Sequence, residues 1–138
     1  MKVFFINIGK HSMSTWDAKH LQARNTFVRE YNKEDISLQI VYIDMPFPEI
    51  DPEWSCHEVG KLAYETIEKI ETFLKENNAD PDGLHIVHIM GDSAFVYNVV
   101  ERLNDGIVWD YSLLPVHSTV KGGEFVQFRP YWGSSMGL

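Results

Sequence analysis

Three apolar, β-rich runs constrain this chain more than any other feature, because each is halted by glycine or proline and gives way to a different pattern. The first, "MKVFFINIG" over residues 1 to 9, ends at Gly9. The second, "ISLQIVYIDM" over 36 to 45, runs into "PFPEIDP", where three prolines in seven residues force a loop. The third, "LHIVHIM" over 84 to 90, stops at Gly91. Near-continuous apolar runs of this length are expected of strands covered on both faces, as in parallel sheets.

Helical patterns fill the gaps. From Ser14, with Asp17 three residues on, a mixed stretch extends to the turn signal Asn32, and a first helix is expected there. Asp51 and Pro52 predict the start of a second, in which Val59, Leu62, Ala63, Ile67, Ile70 and Leu74 follow the 3.6-residue period, with acids opposite. "NNADPDG" ends it. From Ser93, the positions Val96, Val99, Val100 and Leu103 describe a third helix, with Gly106 as its expected C-cap. "SLLPVHSTV" and "EFVQFRPY" read as two strands joined at Gly122 and Gly123 in a hairpin.

The order β-α-β-α-β-α-β-β predicts an α/β fold: a single-domain, Rossmann-like architecture, doubly wound, with a mostly parallel sheet, helices on both faces and a C-terminal β-hairpin. A length of 138 residues with 44% hydrophobic content suits one domain with one sizeable core. In such sheets ligands sit outside the carboxyl ends of the strands. The segments from Gly9 to Thr15, Asp44 to Asp51 and Gly91 to Ala94 therefore carry the most functional weight.

Bulk properties narrow the partners. The net charge of -8 argues against coating of long nucleic acid, which rests on neutralising many phosphates. Residues 49 to 76 hold eight acids against three lysines, or -5 of that total, so the remainder is nearly balanced and a small anionic ligand stays possible. No charged leader with a cleavage site and no apolar stretch of roughly 20 residues is present, so a soluble, cytoplasmic protein without a membrane partner is expected. Cys56 is the only cysteine, which allows neither an intrachain disulfide nor a cysteine-based zinc site.

At the Gly91 joint, a glycine permits close approach of backbone to ligand, the helix start offers unpaired N-H groups, and Ser93 adds a hydroxyl. Asp92 is less convenient, because a carboxylate there competes with an anion unless it accepts a ribose hydroxyl. A plain turn and helix cap uses the same three residues. GxGxxG and GxxxxGK[ST] are both absent, so classical dinucleotide or ATP chemistry has no motif support. The loop "GKHSMST" repeats the arrangement, with Gly9 after a strand, Lys10 and His11 as cations, and Ser12, Ser14 and Thr15 as donors; Ser14 also suits a cap. His11 stands where a general acid or a phosphate donor would sit. In "PVHSTVKGGEFVQFRPYW", alternation puts His117, Thr119 and Lys121 on one face of a strand and Ser118 on the other with Val116 and Val120; Arg129 follows on the next strand. An ordinary polar hairpin face accounts for the same residues.

Other features point away from metal and thiol chemistry. His85 and His88 are three apart on a strand and face opposite ways, as satisfied core or interface histidines would. His20 and His57 lie on expected helices without an HExxH partner, and no metal site or cofactor is expected. Trp54, Trp109, Trp132, Tyr111 and Tyr131 can stack on bases or pack subunit interfaces.

Taken together, the strand into "GKHSMST", the strand into "HIMGDSAFVYNVVERLNDGI" and the ending "PVHSTVKGGEFVQFRPYW" resemble the small stand-alone members of the CRISPR-associated Rossmann-fold (CARF) family, which include ring nucleases of type III systems. One departure is "VWDYSLL", residues 108 to 114, which lengthens the link into "PVHST". The resemblance implies binding of a cyclic oligoadenylate, such as cyclic tetra-adenylate, across a homodimer two-fold. It assigns the ligand cradle to Gly9, Lys10, Ser12, Ser14, Gly91, Asp92, Ser93, Ser118, Thr119 and Arg129. It also implies metal-independent cleavage in which a ribose 2'-hydroxyl attacks the neighbouring phosphate, with His11 or His117 moving protons and Lys10 and Lys121 stabilising charge. A non-catalytic sensor with the same cradle and an interaction scaffold without a small ligand are the competing expectations.

Overall fold

The computed structural model describes residues 1–33, 36–104 and 109–131. In order they form β1 (Lys2–Gly9), a 3-10 turn (Met13–Thr15), α1 (Ala18–Tyr31), β2 (Gln39–Pro46), α2 (Cys56–Glu76), β3 (Leu84–Ile89), α3 (Ser93–Asn104), β4 (Ser112–Lys121) and β5 (Glu124–Pro130). The five strands make one sheet in the order β2-β1-β3-β4-β5, in which only β5 runs antiparallel to its neighbour. The expected α/β class, mostly parallel sheet and C-terminal hairpin are all present.

β1 lies at the centre for the reason its composition suggests: Val3 through Ile8 are six consecutive buried residues, so neither face of the strand meets water. Alternate side chains feed two apolar clusters. Phe4, Ile6 and Ile8 pack with Val87 and Ile89 of β3, with Val59, Ala63, Ile67, Ile70 and Leu74 of α2, and with Phe95, Val96 and Val99 of α3. Val3 and Phe5 pack with Ile86, Leu114, Val116, Val28 of α1 and the hairpin residues Phe125 and Phe128.

Helix starts differ from the expected ones, and in each case a better cap takes over. Asp17, not Ser14, caps α1 by accepting from the His20 N-H at 2.8 Å, while Ser12 caps the preceding 3-10 turn. α2 begins at Cys56, not near Asp51: Ser55 and Glu58 form a reciprocal capping box, and Asp51 instead accepts from the Glu53 N-H inside the loop. Gly122 and Gly123, at φ 60° and 81°, make the tight turn of the hairpin, since both central positions of such a turn need the left-handed region. A register shift between Thr119 and Val120 breaks the alternation, and Val120 is exposed instead of sharing the inward face of Val116 and Ser118. The expected cap Gly106 and the aromatic Trp132 lie outside the described residues. Among the described residues no helix is long and apolar enough to cross a membrane.

Candidate functional site at the carboxyl edge of the sheet

β1, β2 and β3 end together, at Gly9, Pro46 and Ile89, but β4 does not. Its last pairing with β3 is Val116 to His88, so His117 through Lys121 run on past the edge of the parallel sheet with β5 as their strand partner. Beside this projection lies the turn at Gly91. Asp92 caps α3 by accepting from the Phe95 N-H at 3.0 Å, and Gly91 is pressed against the Phe47 ring. A Cβ on Gly91 would stand 2.4 Å from two ring carbons, so glycine is required there for packing between the turn and the β2-α2 loop. The conformational purpose of the joint is thus a cap and a close approach.

The projection and the turn enclose a groove of about 710 Å³, lined by Met90, Gly91, Ser93, Val96, Tyr97, Val100, His117 and Tyr131, with Glu101 and Asn104 at its polar end. The His117 and Tyr131 rings lie 4.7 Å apart. Arg129 is the cross-strand partner of His117. Burial first, and then the charge of Arg129, lower the His117 pKa, so the imidazole is neutral at neutral pH and has a lone pair to accept a proton. Burial pushes the Tyr131 phenol up to about 12, and its hydroxyl donates to the Ile89 carbonyl at the end of β3. A second depression of about 840 Å³, on the other side of the turn, is lined by Lys10, Phe47, Pro48, Glu49, Ile50, Asp51, Trp54 and Asp92.

The residues singled out from sequence therefore divide. Gly91, Ser93 and His117 line one groove, with Arg129 across the strand from His117; Lys10 and Asp92 share the neighbouring depression. Gly9 ends β1 opposite Pro46, and the exposed His11 is held through its carbonyl, which accepts from Asn7 Nδ2 at 2.9 Å. Ser12 donates to Asp44 at 2.8 Å and Ser14 donates to Ser12 at 3.0 Å, so these hydroxyls serve the loop itself. Thr119 donates to the Gln127 carbonyl, and Lys121 sits at the hairpin tip opposite Glu124. Ser118 points inward. Trp109 and Tyr111 pack against the α2-α3 cluster within the chain, and Trp109 donates to the Arg102 carbonyl. Among the described residues no group of three His, Cys, Asp or Glu side chains is arranged to hold a metal ion.

Sequence reasoning missed a polar row beneath the loops, buried at Asn7, His88 and Ser118 and reaching the surface at Asp44. Asp44, Asn7 and His88 are paired across β2, β1 and β3 in register, and Ser118 of β4 completes the row on the face covered by α1. Asn7 donates to Asp44 at 2.9 Å; His88 Nδ1 meets Asn7 Oδ1 at 2.8 Å; His88 Nε2 meets Ser118 Oγ at 2.8 Å; and His20 Nε2 of α1 meets the same hydroxyl at 3.1 Å. His20 lies between the rings of Trp16 and Phe125, at 3.6 and 4.0 Å. Burial lowers His88 to about 3 and His20 to about 4, so both are neutral at pH 7. Burial alone would raise the Asp44 carboxyl, but hydrogen bonds from Asn7, the Met13 N-H and Ser12, with the charge of Arg24, outweigh it and hold the pKa below its ordinary value. The available signal was a polar side chain one or two positions before the end of each apolar run.

No family model matches the chain, and neither curated proteins nor solved structures give a match.

Proposed function

We propose that this protein binds a cyclic oligoadenylate, with cyclic tetra-adenylate as the favoured ring, at the carboxyl edge of its sheet, and opens it as a metal-independent ring nuclease of the CARF kind. The observation that carries the reading is the convergence of two segments separated by more than 20 residues: the turn at Gly91 to Ser93 and His117 of β4 line one groove. Lys10 stands on the far side of the same turn. The Rossmann-like, doubly wound reading, with helices on both faces, draws support from the strand order β2-β1-β3-β4 and from the separation of α1 from α2 and α3 into two apolar clusters.

The chemistry asked of the site is modest. The ribose 2'-hydroxyl attacks the adjacent phosphorus, the bond from phosphorus to the 5'-oxygen breaks, and the product is linear with a 2',3'-cyclic phosphate and a 5'-hydroxyl. Neutral His117 accepts the 2'-proton, His11 supplies one to the leaving 5'-oxygen, and Arg129, Lys10 and Lys121 offset charge developing on the phosphate. Tyr97 and Tyr131 give the groove aromatic faces for a base. A ring with two-fold symmetry is matched by a homodimer presenting two such edges, and the role is that of switching off type III CRISPR signalling in the cytoplasm.

A binding-only sensor is the second reading, and a specific observation favours it. Ser12, Ser14, Ser118 and Thr119 all direct their hydroxyls to protein partners, which leaves few donors around the groove for a pentacovalent phosphate. Incubating the protein in EDTA with cyclic tri-, tetra- and hexa-adenylate, followed by chromatography and mass spectrometry, separates the two. A linear product carrying a cyclic phosphate establishes the nuclease. Intact rings with a raised melting temperature establish the sensor, because ligand at 100 times its Kd stabilises by about 2.7 kcal/mol. Neither effect with any ring removes the reading and favours a protein-interaction scaffold.

A further inference from the structure

The polar row from Asp44 to His20 has only one proton arrangement. Both Nδ2 hydrogens of Asn7 are committed, to the His11 carbonyl and to Asp44, so Asn7 Oδ1 can only accept. His88 must then carry its proton on Nδ1, and in a neutral ring Nε2 is left as an acceptor. Ser118 has a single hydroxyl hydrogen and gives it to His88, so its oxygen accepts from His20 Nε2-H. Four hydrogen bonds therefore run one way, from α1 through β4, β3 and β1 to the carboxylate on β2. Among the described residues no buried side-chain N or O lacks a partner.

Both ends of this row hold segments of the carboxyl edge. At one end Asp44 accepts from Ser12 and from the Met13 N-H at 3.0 Å, and Asn7 holds the His11 carbonyl, which together fix the loop that bears Lys10. At the other end Ser118 lies between His117 and Thr119 on the stretch of β4 that has left β3 behind. Without a neighbouring parallel strand, that stretch has β5 for its backbone partner and the Ser118 side chain as its anchor to the sheet interior.

We propose that Asn7, His88 and Ser118 are positioning residues of the carboxyl-edge site, coupling the Lys10–Thr15 loop to the His117–Lys121 stretch across four strands. The coupling is a property of the chain; its value for a ligand rests on the function proposed above. His88 acts through Ser118 and Asn7 and touches no ligand. A local role in stability would confine the effect of a change at Ser118 to β4, β5 and α1, whereas coupling carries it to amides more than 100 residues earlier.

Backbone amide exchange of the full chain, followed by NMR, tests this in the wild type, Ser118→Ala and Ser118→Thr, with cyclic tetra- and hexa-adenylate titrated into the same samples. In Ser118→Ala, exchange at the Met13 and Ser14 amides accelerates about fivefold, the scale of one neutral hydrogen bond, and Ser118→Thr, which keeps the hydroxyl, restores it. His20→Phe, which preserves stacking between Trp16 and Phe125 but removes the terminal donor, produces a smaller change at the same amides and stands in should Ser118→Ala not fold. Unchanged exchange at Met13 and Ser14 in Ser118→Ala, with β4 and α1 affected, overturns the coupling. Where the wild type binds a ring, Ser118→Ala weakens it by a similar factor at a temperature where every variant is folded. If no ring binds the wild type, the ligand reading falls and the exchange data alone decide the coupling.

Discussion

The two apolar clusters solve the same packing problem differently. Against α2 the covering is largely aliphatic: the helix buries Val59, Gly60, Ala63, Ile67, Ile70 and Leu74 along its 21 residues. α1, with 14 residues, buries only Val28. That side is completed by rings, with Phe5, Trp16, His20, Phe125 and Phe128 in mutual contact, and by the polar row that ends at His20. A long amphipathic helix seals its side by area burial, which is non-directional and tolerant of small shifts. A short, weakly amphipathic helix leaves room for directional bonds, which tolerate none. The precision of the carboxyl edge is therefore concentrated on the α1 side.

The largest test of this contrast is truncation. Ile67→Ala, at a fully buried position in the aliphatic cluster, is expected to cost about 3 to 4 kcal/mol in urea unfolding, and Val28→Ala on the α1 side about 2 kcal/mol. Equal costs would show that α1 is sealed by the same means as α2. Acid distinguishes the sides next. His88 and His20 have folded pKa values of about 3 and about 4 against an unfolded 6.5, so from pH 6.5 downward the unfolded chain binds protons that the folded chain refuses. Their contribution to stability is constant above pH 7 and falls between pH 6.5 and 4, by at most about 1.4 kcal/mol per pH unit for each site, with the share of part-exposed His20 reduced by solvent. His20→Phe should make the fall shallower, and a slope unchanged in that variant would mean that His20 is not the group refusing the proton.

Gly91→Ala tests the joint between the sides' common loops, since the new methyl must displace the Phe47 ring; a loss of about 2 kcal/mol is expected. Combined with Phe47→Ala the two losses should sum to less than their separate values, because the clash is then gone. The smallest effect belongs to a polar tie at the end of the α2 and α3 cluster. Glu71 of α2 accepts from the Asp110 and Tyr111 N-H groups at 3.0 and 2.8 Å, and Glu71→Gln should cost about 1 kcal/mol in the same unfolding measurement.

Much of the scaffold was legible from residue order, because strands and helices announce themselves locally. Runs such as "MKVFFINIG" and the spacing of Val59 to Leu74 report burial and period within a dozen residues. Helix starts are less legible: Ser14 and Asp51 suit a start locally, and only the full set of backbone bonds selects Asp17 and Ser55 as the caps. The site divided in the same way. That Gly91 and Ser93 belong at a strand end followed from order alone; that His117, inside β4, lines the same groove did not. That Ser118 turns inward, that Val120 escapes the alternation, and that Asn7, Asp44, His20 and His88 are one connected row did not, since these residues lie up to 111 positions apart and meet through register and helix placement.

By itself, then, the sequence determined an alternating α/β chain with a central strand buried on both faces, loops rich in small polar residues at one edge and a glycine-turned hairpin at its end, because hydrophobic periodicity and turn chemistry are short-range. Tertiary structure alone decided which polar groups face each other, because a hydrogen bond depends on angstrom-scale geometry between strands that are neighbours in the sheet and distant in the chain.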